Sequence, residues 1–381
     1  MHKIELCGND NCTQCYACIN SCAKGAIIMT ESSDGFKIPQ IDRNTCVECG
    51  ACVNSCHRIT SSLEYKRPIK TLACWTKNLS DREKSSSGGA FSVLARKVID
   101  EGGIVFGACM GEDLQVRHIG IEKESDLILL QGSKYVQSYL GDIYRQVKEY
   151  LRNGRKVLFT GTPCQVGGLL TFLKKKYENL LTCDLVCHGV PSQKAFDIYI
   201  DKIGVRENSK NFNFRYTKGW GMQLSRQKNR KSRLRILSPE RGYFFRAFEK
   251  GYMFSEACYA CAYARPERVS DFTLADFWGI GKKEPFNYPI RKGISLMLVN
   301  SEKANVFLSQ CKELFSVERT LEEAIEGNHN LSKVSARPSG RDTYYDDSKS
   351  MPIDKICRKY AVEASWRDYL RVVKQFVYSF W

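Results

Sequence analysis

Eight of the eighteen cysteines in this 381-residue chain fall in two short runs, CTQCYACINSC from Cys12 to Cys22 and CVECGACVNSC from Cys46 to Cys56. Each has the form C-x2-C-x2-C-x3-C, so Cys12, Cys15, Cys18 and Cys22 are matched by Cys46, Cys49, Cys52 and Cys56. Three thiolates spaced by two residues can wrap one corner of an iron–sulfur cubane while the fourth points away. The residues between them (Ala17, Asn20, Gly50, Ala51 and Asn54 among others) are small or uncharged, which lets backbone N–H groups reach the cluster sulfurs. Zinc ribbons instead use paired C-x2-C knuckles separated by longer loops. A disulfide scaffold needs an oxidising compartment. The N-terminus has no basic-then-apolar leader, and no apolar run approaches the ~20 residues that cross a bilayer. The chain is therefore expected in the cytoplasm, without a transmembrane segment, its thiols reduced and used for metal or redox chemistry.

The doubled run resembles the bacterial two-cluster ferredoxins, in which the fourth cysteine of each run ligates the other cluster. That resemblance implies one [4Fe-4S] cluster on Cys12, Cys15, Cys18 and Cys56 and a second on Cys46, Cys49, Cys52 and Cys22. The proline usual after the fourth cysteine is replaced by Ala23 and by His57. Cys7 lies outside both runs and reads as a bystander. Residues 1–64 hold five Lys/Arg against seven Asp/Glu, whereas the remainder holds 53 against 35, within a total net charge of +16. The change of sign, with Pro68 in YKRPIK, places a boundary near residues 65–70. An α+β ferredoxin-like head, residues 1–65, is thus expected to precede a larger body.

In the body, short β-branched or apolar runs such as GIVFGAC and KVLFTGTPCQ alternate with helical segments such as IYRQVKEYLRNG. That alternation predicts an α/β domain with a largely parallel sheet, its ligands at the C-terminal ends of the strands. Three strand ends carry chemistry. SSSGGAF sets Ser85, Ser86, Ser87, Gly88 and Gly89 ahead of a helix, where free N–H groups suit a phosphate, or where a serine simply caps the helix. GTPCQVGG puts Cys164 at a helix N-terminus, where its pKa is expected to be depressed. CDLVCHGVPS puts Cys187 and His188 at a strand tip, with Cys183 inside the strand. A later C-x2-C pair, Cys258 and Cys261, completes a set of four with Cys164 and Cys187. On spacing alone that set could hold zinc, a redox dithiol or an iron–sulfur cluster. The ferredoxin-like head favours a third [4Fe-4S] cluster.

Taken in order, SSSGGAFS, GSKYVQS, GTPCQVGG, CHGVPS, the C-x2-C pair and SDFTLADFWG resemble the family of coenzyme F-420 (deazaflavin) hydrogenase and dehydrogenase beta subunits, which also includes 7-hydroxymethyl chlorophyll a reductase. The resemblance spans residues 70 to at least 280 and implies an iron–sulfur flavoprotein oxidoreductase containing FAD. It implies that residues 70–330 form the FAD- and iron–sulfur-binding catalytic domain. Ser86, Ser87, Gly88, Gly89, Gly132, Ser133, Lys134, Tyr135, Gln137, Ser138 and Thr162 would contact the flavin. Cys164, Cys187, Cys258 and Cys261 would hold the third cluster, and His188 is a candidate proton donor, or else a structural histidine. Asp276 matches the family's aspartate, but Ala275 stands where glycine is usual. A flavin converts one-electron traffic through clusters into two-electron chemistry, so the expected path joins a ferredoxin or flavodoxin carrier, the head, the body, FAD and a small substrate such as a deazaflavin. The other reading is an electron-transfer subunit of a larger complex with no substrate of its own.

Residues 210–235 hold nine Lys/Arg and no acid, with Phe212, Phe214, Tyr216 and Trp220 interleaved. A solvated hairpin is the simplest reading, a dock for an acidic carrier comes next, and nucleic acid is the least favoured partner. Residues 331–381 are expected to be a polar loop around SARPSGRDTYYDDSKSMP followed by an amphipathic C-terminal helix packed on the body.

Overall fold

The computed structural model describes residues 4–60, 63–208, 211–215, 225–227 and 235–378. In the head, the repeated sequence folds into a repeated local structure. Helices Ala17–Ser21 and Ala51–Asn54 begin at equivalent points of the two cysteine runs, each after a residue with positive φ, Tyr16 at 64° and Gly50 at 73°. Gln14 and Glu48 are left-handed too, at 49° and 52°. These turns coil the backbone around each run instead of letting it extend. The hairpin of β1 (Ile27–Glu31) and β2 (Lys37–Ile41) links the two runs.

The body is built on an eight-stranded sheet. Its members are β3 (Lys70–Thr76), β4 (Ile104–Met110), β5 (Val116–Ile121), β6 (Val157–Thr160) and β7 (Leu180–Leu185). A small antiparallel sheet of β8 (Asn211–Asn213), β9 (Ser225–Gln227) and β10 (Arg235–Ile236) intervenes before β11 (Phe272–Asp276), β12 (Ser295–Val299) and β13 (Leu314–Arg319) rejoin the large one. The order is β13-β3-β12-β11-β7-β6-β4-β5. Pairing is parallel only through β4, β6, β7 and β11 and antiparallel elsewhere. The expected largely parallel sheet is thus corrected to a mixed one. The central strands read VLF and LLTC because both faces are covered. Cys183 is buried inside β7, as expected.

Head and body are packed against each other. Helix Pro163–Leu173 lies between the sheet and the head and is buried along most of its length. Its Thr171 hydroxyl donates to the carbonyl of Ser55 at 2.8 Å, and Arg145 donates to the carbonyls of Ile19, Asn20 and Cys22. The connecting segment is pinned as well, with Lys66 and Arg268 exchanging backbone hydrogen bonds of 2.8 Å.

Arg268 fixes the C-x2-C segment to the sheet. Its guanidinium pairs with Asp184 on β7 at 2.9 Å, the two side chains being 1% and 0% exposed. It also donates to the Tyr263 carbonyl and to Thr273 of β11. Arg268→Met leaves the Asp184 carboxylate buried without its counter-charge. The variant is expected to lose about 3–5 kcal/mol of stability, read as a lowered denaturation midpoint of the anaerobic protein.

One expectation for the C-terminal region is corrected. Residues 341–350 form a helix rather than a loop, because Tyr344 and Tyr345 are buried and Arg341 is held by Asp34 at 2.5 Å. The final helix, Trp366–Tyr378, meets the body where the Tyr369 hydroxyl donates to Glu240, while Trp366, Tyr369, Leu370 and Val373 are exposed. Of the basic stretch, Phe212 and Phe214 are core residues, while Tyr216, Trp220 and most of its charges lie outside the described residues.

Candidate functional site

The thiols sort into three groups. A cavity in the head is lined by Cys12, Cys15, Cys18 and Cys56, and by Cys7 and His57. Three of these cysteines come from the first run and the fourth from the end of the second, which is the crossed set. Burial pushes Cys15 up to about 12, helped by Cys164 and Cys56, and Cys18 is raised by burial and by Cys15 and Cys56. Cys7 also lines this cavity, and its thiol is raised to about 11, chiefly by Cys12, with burial adding to the rise.

Cys52 of the second run is raised by burial, with Cys22 and Cys46 adding to the rise, so Cys22 lies near the second run. Cys49 is exposed. In the body, Cys187 is raised far above the usual thiol range by burial and then by Cys258, Cys164 and Cys261. Burial likewise takes Cys258 to about 12. The depressed pKa expected for Cys164 is corrected: burial raises it to about 11, outweighing the hydrogen bond from Thr162. The groups are loose, since among the described residues no three Cys, His, Asp or Glu side chains converge closely enough for a single metal ion.

The head and body groups adjoin. A Cβ added to Gly168 would lie 2.8 Å from Cys15 Sγ, and one added to Gly167 would lie 2.0 Å from the Tyr263 hydroxyl. The glycines of GTPCQVGG therefore allow close approach between the Cys164 helix and the Cys15 loop. His57, where a proline is usual, bridges this contact: Nε2 meets Thr13 at 3.0 Å and Nδ1 meets Tyr263 at 3.0 Å. Burial lowers its pKa to about 4 and keeps the ring neutral.

At the C-terminal ends of β7 and β11, a second constellation forms beside Cys187. The Ser133 amide donates to Ser86 Oγ at 2.8 Å, joining SSSGGAF to GSKYVQS. The Ser87 hydroxyl donates to the Ile294 carbonyl, which also accepts from the amide of Phe277 just after β11. The loop thus abuts the strand end carrying Asp276. There Asp276 pairs with Arg215 at 2.5 Å, both side chains being nearly inaccessible at 8% and 4%. Tyr135 lies against Arg215 and packs edge-on to Phe248, whose ring neighbours His188. Burial and His329 lower His188 to about 4, so it stands here as a neutral imidazole.

The other expected contacts are placed differently. Gly88 is fully enclosed, a Cβ there falling 2.4 Å from the Cys74 carbonyl of β3, so its size serves sheet packing. Gly89 caps the helix with φ +82°, and Gly132 faces open space at φ +79°. Gln137 donates to Gln14 of the head. Ser138 sits in a buried network with His118 and Gln165, and Thr162 caps the Cys164 helix in a reciprocal capping box with Gln165.

Lys134 is half-buried and, among the described residues, bonded only to the carbonyls of Leu129 and Gln131, and burial lowers its pKa to about 8. An ammonium without a carboxylate partner, next to a Ser/Gly loop at a helix start, has the chemistry of a phosphate contact. Between about pH 8 and the ordinary lysine value near 10.5, the unfolded chain holds a proton that the folded chain has released. Stability should therefore rise with pH across that window. Lys134→Met should remove the contribution, which pH-dependent denaturation curves measure.

Comparison with known proteins follows this geometry. Residues 154–322 match the family described as the C terminus of the coenzyme F420 hydrogenase/dehydrogenase beta subunit. Residues 11–58 match the 4Fe-4S dicluster domain. No curated protein matches the chain. Among solved structures, a chain of the F420-reducing [NiFe] hydrogenase complex of Methanosarcina barkeri is similar over 77% of this chain and 92% of its own, at 15% identity and a TM-score of 0.47. A likeness at that level carries no argument. The two family matches cover the segments that hold the three thiol groups.

Proposed function

We propose, for a chain that resembles the coenzyme F420 hydrogenase/dehydrogenase beta subunits and carries a 4Fe-4S dicluster domain, that it is an iron–sulfur flavoprotein oxidoreductase. The observation that carries this reading is the continuity of the thiol groups: the cavity set containing Cys15 packs on the Gly168 turn of the Cys164 helix, and the body set ends at Cys187 beside the Ser86–Tyr135–Asp276 constellation. Three [4Fe-4S] clusters and one FAD fit those donors. They would supply one-electron carriage and its conversion to two-electron chemistry.

The chain's own residues set the order. The Cys46/Cys49/Cys52/Cys22 group has an exposed member, Cys49, and is where an external carrier such as ferredoxin or flavodoxin would meet the protein. The Cys12/Cys15/Cys18/Cys56 group is enclosed between that entry and the body. Cys164, Cys187, Cys258 and Cys261 bring the path to the sheet edge, where Ser86, Ser133 and Lys134 would hold the flavin. A small substrate, a deazaflavin among the candidates, would approach His188.

A decisive experiment reduces the chain anaerobically with a one-electron donor in a stopped-flow cell. In Cys164→Ser, the head absorbance should still bleach while the flavin stays oxidised; equal flavin reduction in both proteins would remove the body cluster from the path. The exposed Trp366, Tyr369, Leu370 and Val373 of the final helix favour a second reading, a subunit that wires a larger complex. Stoichiometric co-purification with another redox chain and the absence of any activity alone would support it.

A further inference from the structure

The Arg215–Asp276 pair is more buried than its bonding accounts for. The guanidinium donates from Nη1 to Asp276 Oδ2 at 2.5 Å, yet among the described residues its Nε and Nη2 and the other carboxylate oxygen, Asp276 Oδ1, are enclosed without a hydrogen-bond partner. Although burial opposes its charge, Asp276 and Tyr135 hold the Arg215 guanidinium above its ordinary range. The group therefore stays cationic beside an anion. Buried charged atoms left unpaired are costly, and native proteins leave few of them.

We infer that Arg215 and Asp276 together form a recognition site for a planar heterocycle with a cyclic imide edge. The inference rests on the flavin-site reading above and deepens it. The unpaired atoms comprise two N–H donors and one carboxylate acceptor on neighbouring side chains. A phosphate or carboxylate would satisfy the donors but be repelled by Oδ1, and a cation would meet the reverse conflict. A ring carrying C=O beside N–H satisfies both, the carbonyl accepting from Arg215 and the N–H donating to Asp276 Oδ1. Flat aromatic surfaces stand at the same place: the guanidinium lies 6.0 Å from the Trp278 ring, and Tyr135 stands between Arg215 and Phe248. Arg215 and Asp276 are far apart in sequence, one after β8 and the other at the end of β11, so only the fold makes them a pair.

Two ligands have this edge, the resident flavin and a flavin-like substrate. The test titrates the anaerobically purified full chain with riboflavin and with N3-methylriboflavin, in which the imide N–H is blocked, and follows fluorescence quenching. The wild type is expected to bind riboflavin at least tenfold more tightly than the methylated form. Asp276→Asn should shrink that ratio towards one, because the acceptor oxygen has lost its charge, and Arg215→Met should weaken both ligands. If riboflavin binds only after FAD is stripped, the pair holds the cofactor's ring; if it binds with FAD retained, the pair holds the substrate's. Equal affinity of the two ligands for the wild type overturns the inference. That comparison needs no variant to fold, and it leaves the oxidoreductase reading intact if iron and FAD are present.

Discussion

Cys56→Ser is expected to cost the protein the iron of the first cysteine run, not of the second, although Cys56 belongs to the second. About four iron atoms per chain should disappear, and flavin reduction through the head should stop. The reason is geometric. Cys56 lines the same cavity as Cys12, Cys15 and Cys18, while Cys22 and Cys46 both lie near Cys52. The matching variant, Cys22→Ser, should remove the outer cluster and leave the inner one reducible by small diffusing donors. Iron and sulfide analysis with low-temperature EPR distinguishes the two. Loss of the second run's cluster from Cys56→Ser would mean that ligation is not crossed. Cys7 adds a signature of its own: lining the same cavity as Cys12 and Cys56, it is placed to alter the inner cluster's potential. Cys7→Ser should therefore shift that potential while keeping the iron.

The second large effect belongs to Gly168. In an exposed helix, glycine to alanine stabilises by about 1 kcal/mol. Here the new methyl would fall 2.8 Å from both Cβ and Sγ of Cys15 and 3.1 Å from the Tyr144 hydroxyl. Cβ is tied to the backbone and cannot swing aside, so the helix and the Cys15 loop must separate. Gly168→Ala is expected to destabilise by about 1–3 kcal/mol and to slow transfer from head to body, with iron content unchanged. Rapid-mixing kinetics read the second effect separately from the first. A variant with normal stability and normal transfer would show that the glycine has no part in the junction.

The head was legible because its chemistry is local. Four cysteines at fixed spacing, written twice, mark the head, and the two family matches bear out the resemblance drawn from the motifs. The body's third thiol group was legible for a related reason: Cys164 and Cys187 stand at the ends of adjacent parallel strands β6 and β7, where α/β sheets gather their ligands. The long-range contacts were not legible. Nothing near Cys7 in sequence indicates Cys56, and Arg215 is one charge in a basic stretch until β8 and β11 bring it to Asp276. Helix 341–350 was hidden by its polar composition, since its fold depends on Asp34 accepting Arg341 from the head. The raised pKa of Cys164 was not legible because a helix N-terminus is a local feature, whereas the burial that overrides it comes from the folded chain. In each case, the missing term was tertiary.

The most direct test of the account is the metal and flavin content of the anaerobically purified full chain. Three cubanes feeding a flavin predict about twelve irons, about twelve sulfides and one FAD per chain, with a brown absorbance that bleaches on reduction. Zinc in place of iron, or eight irons with no flavin, would contradict it.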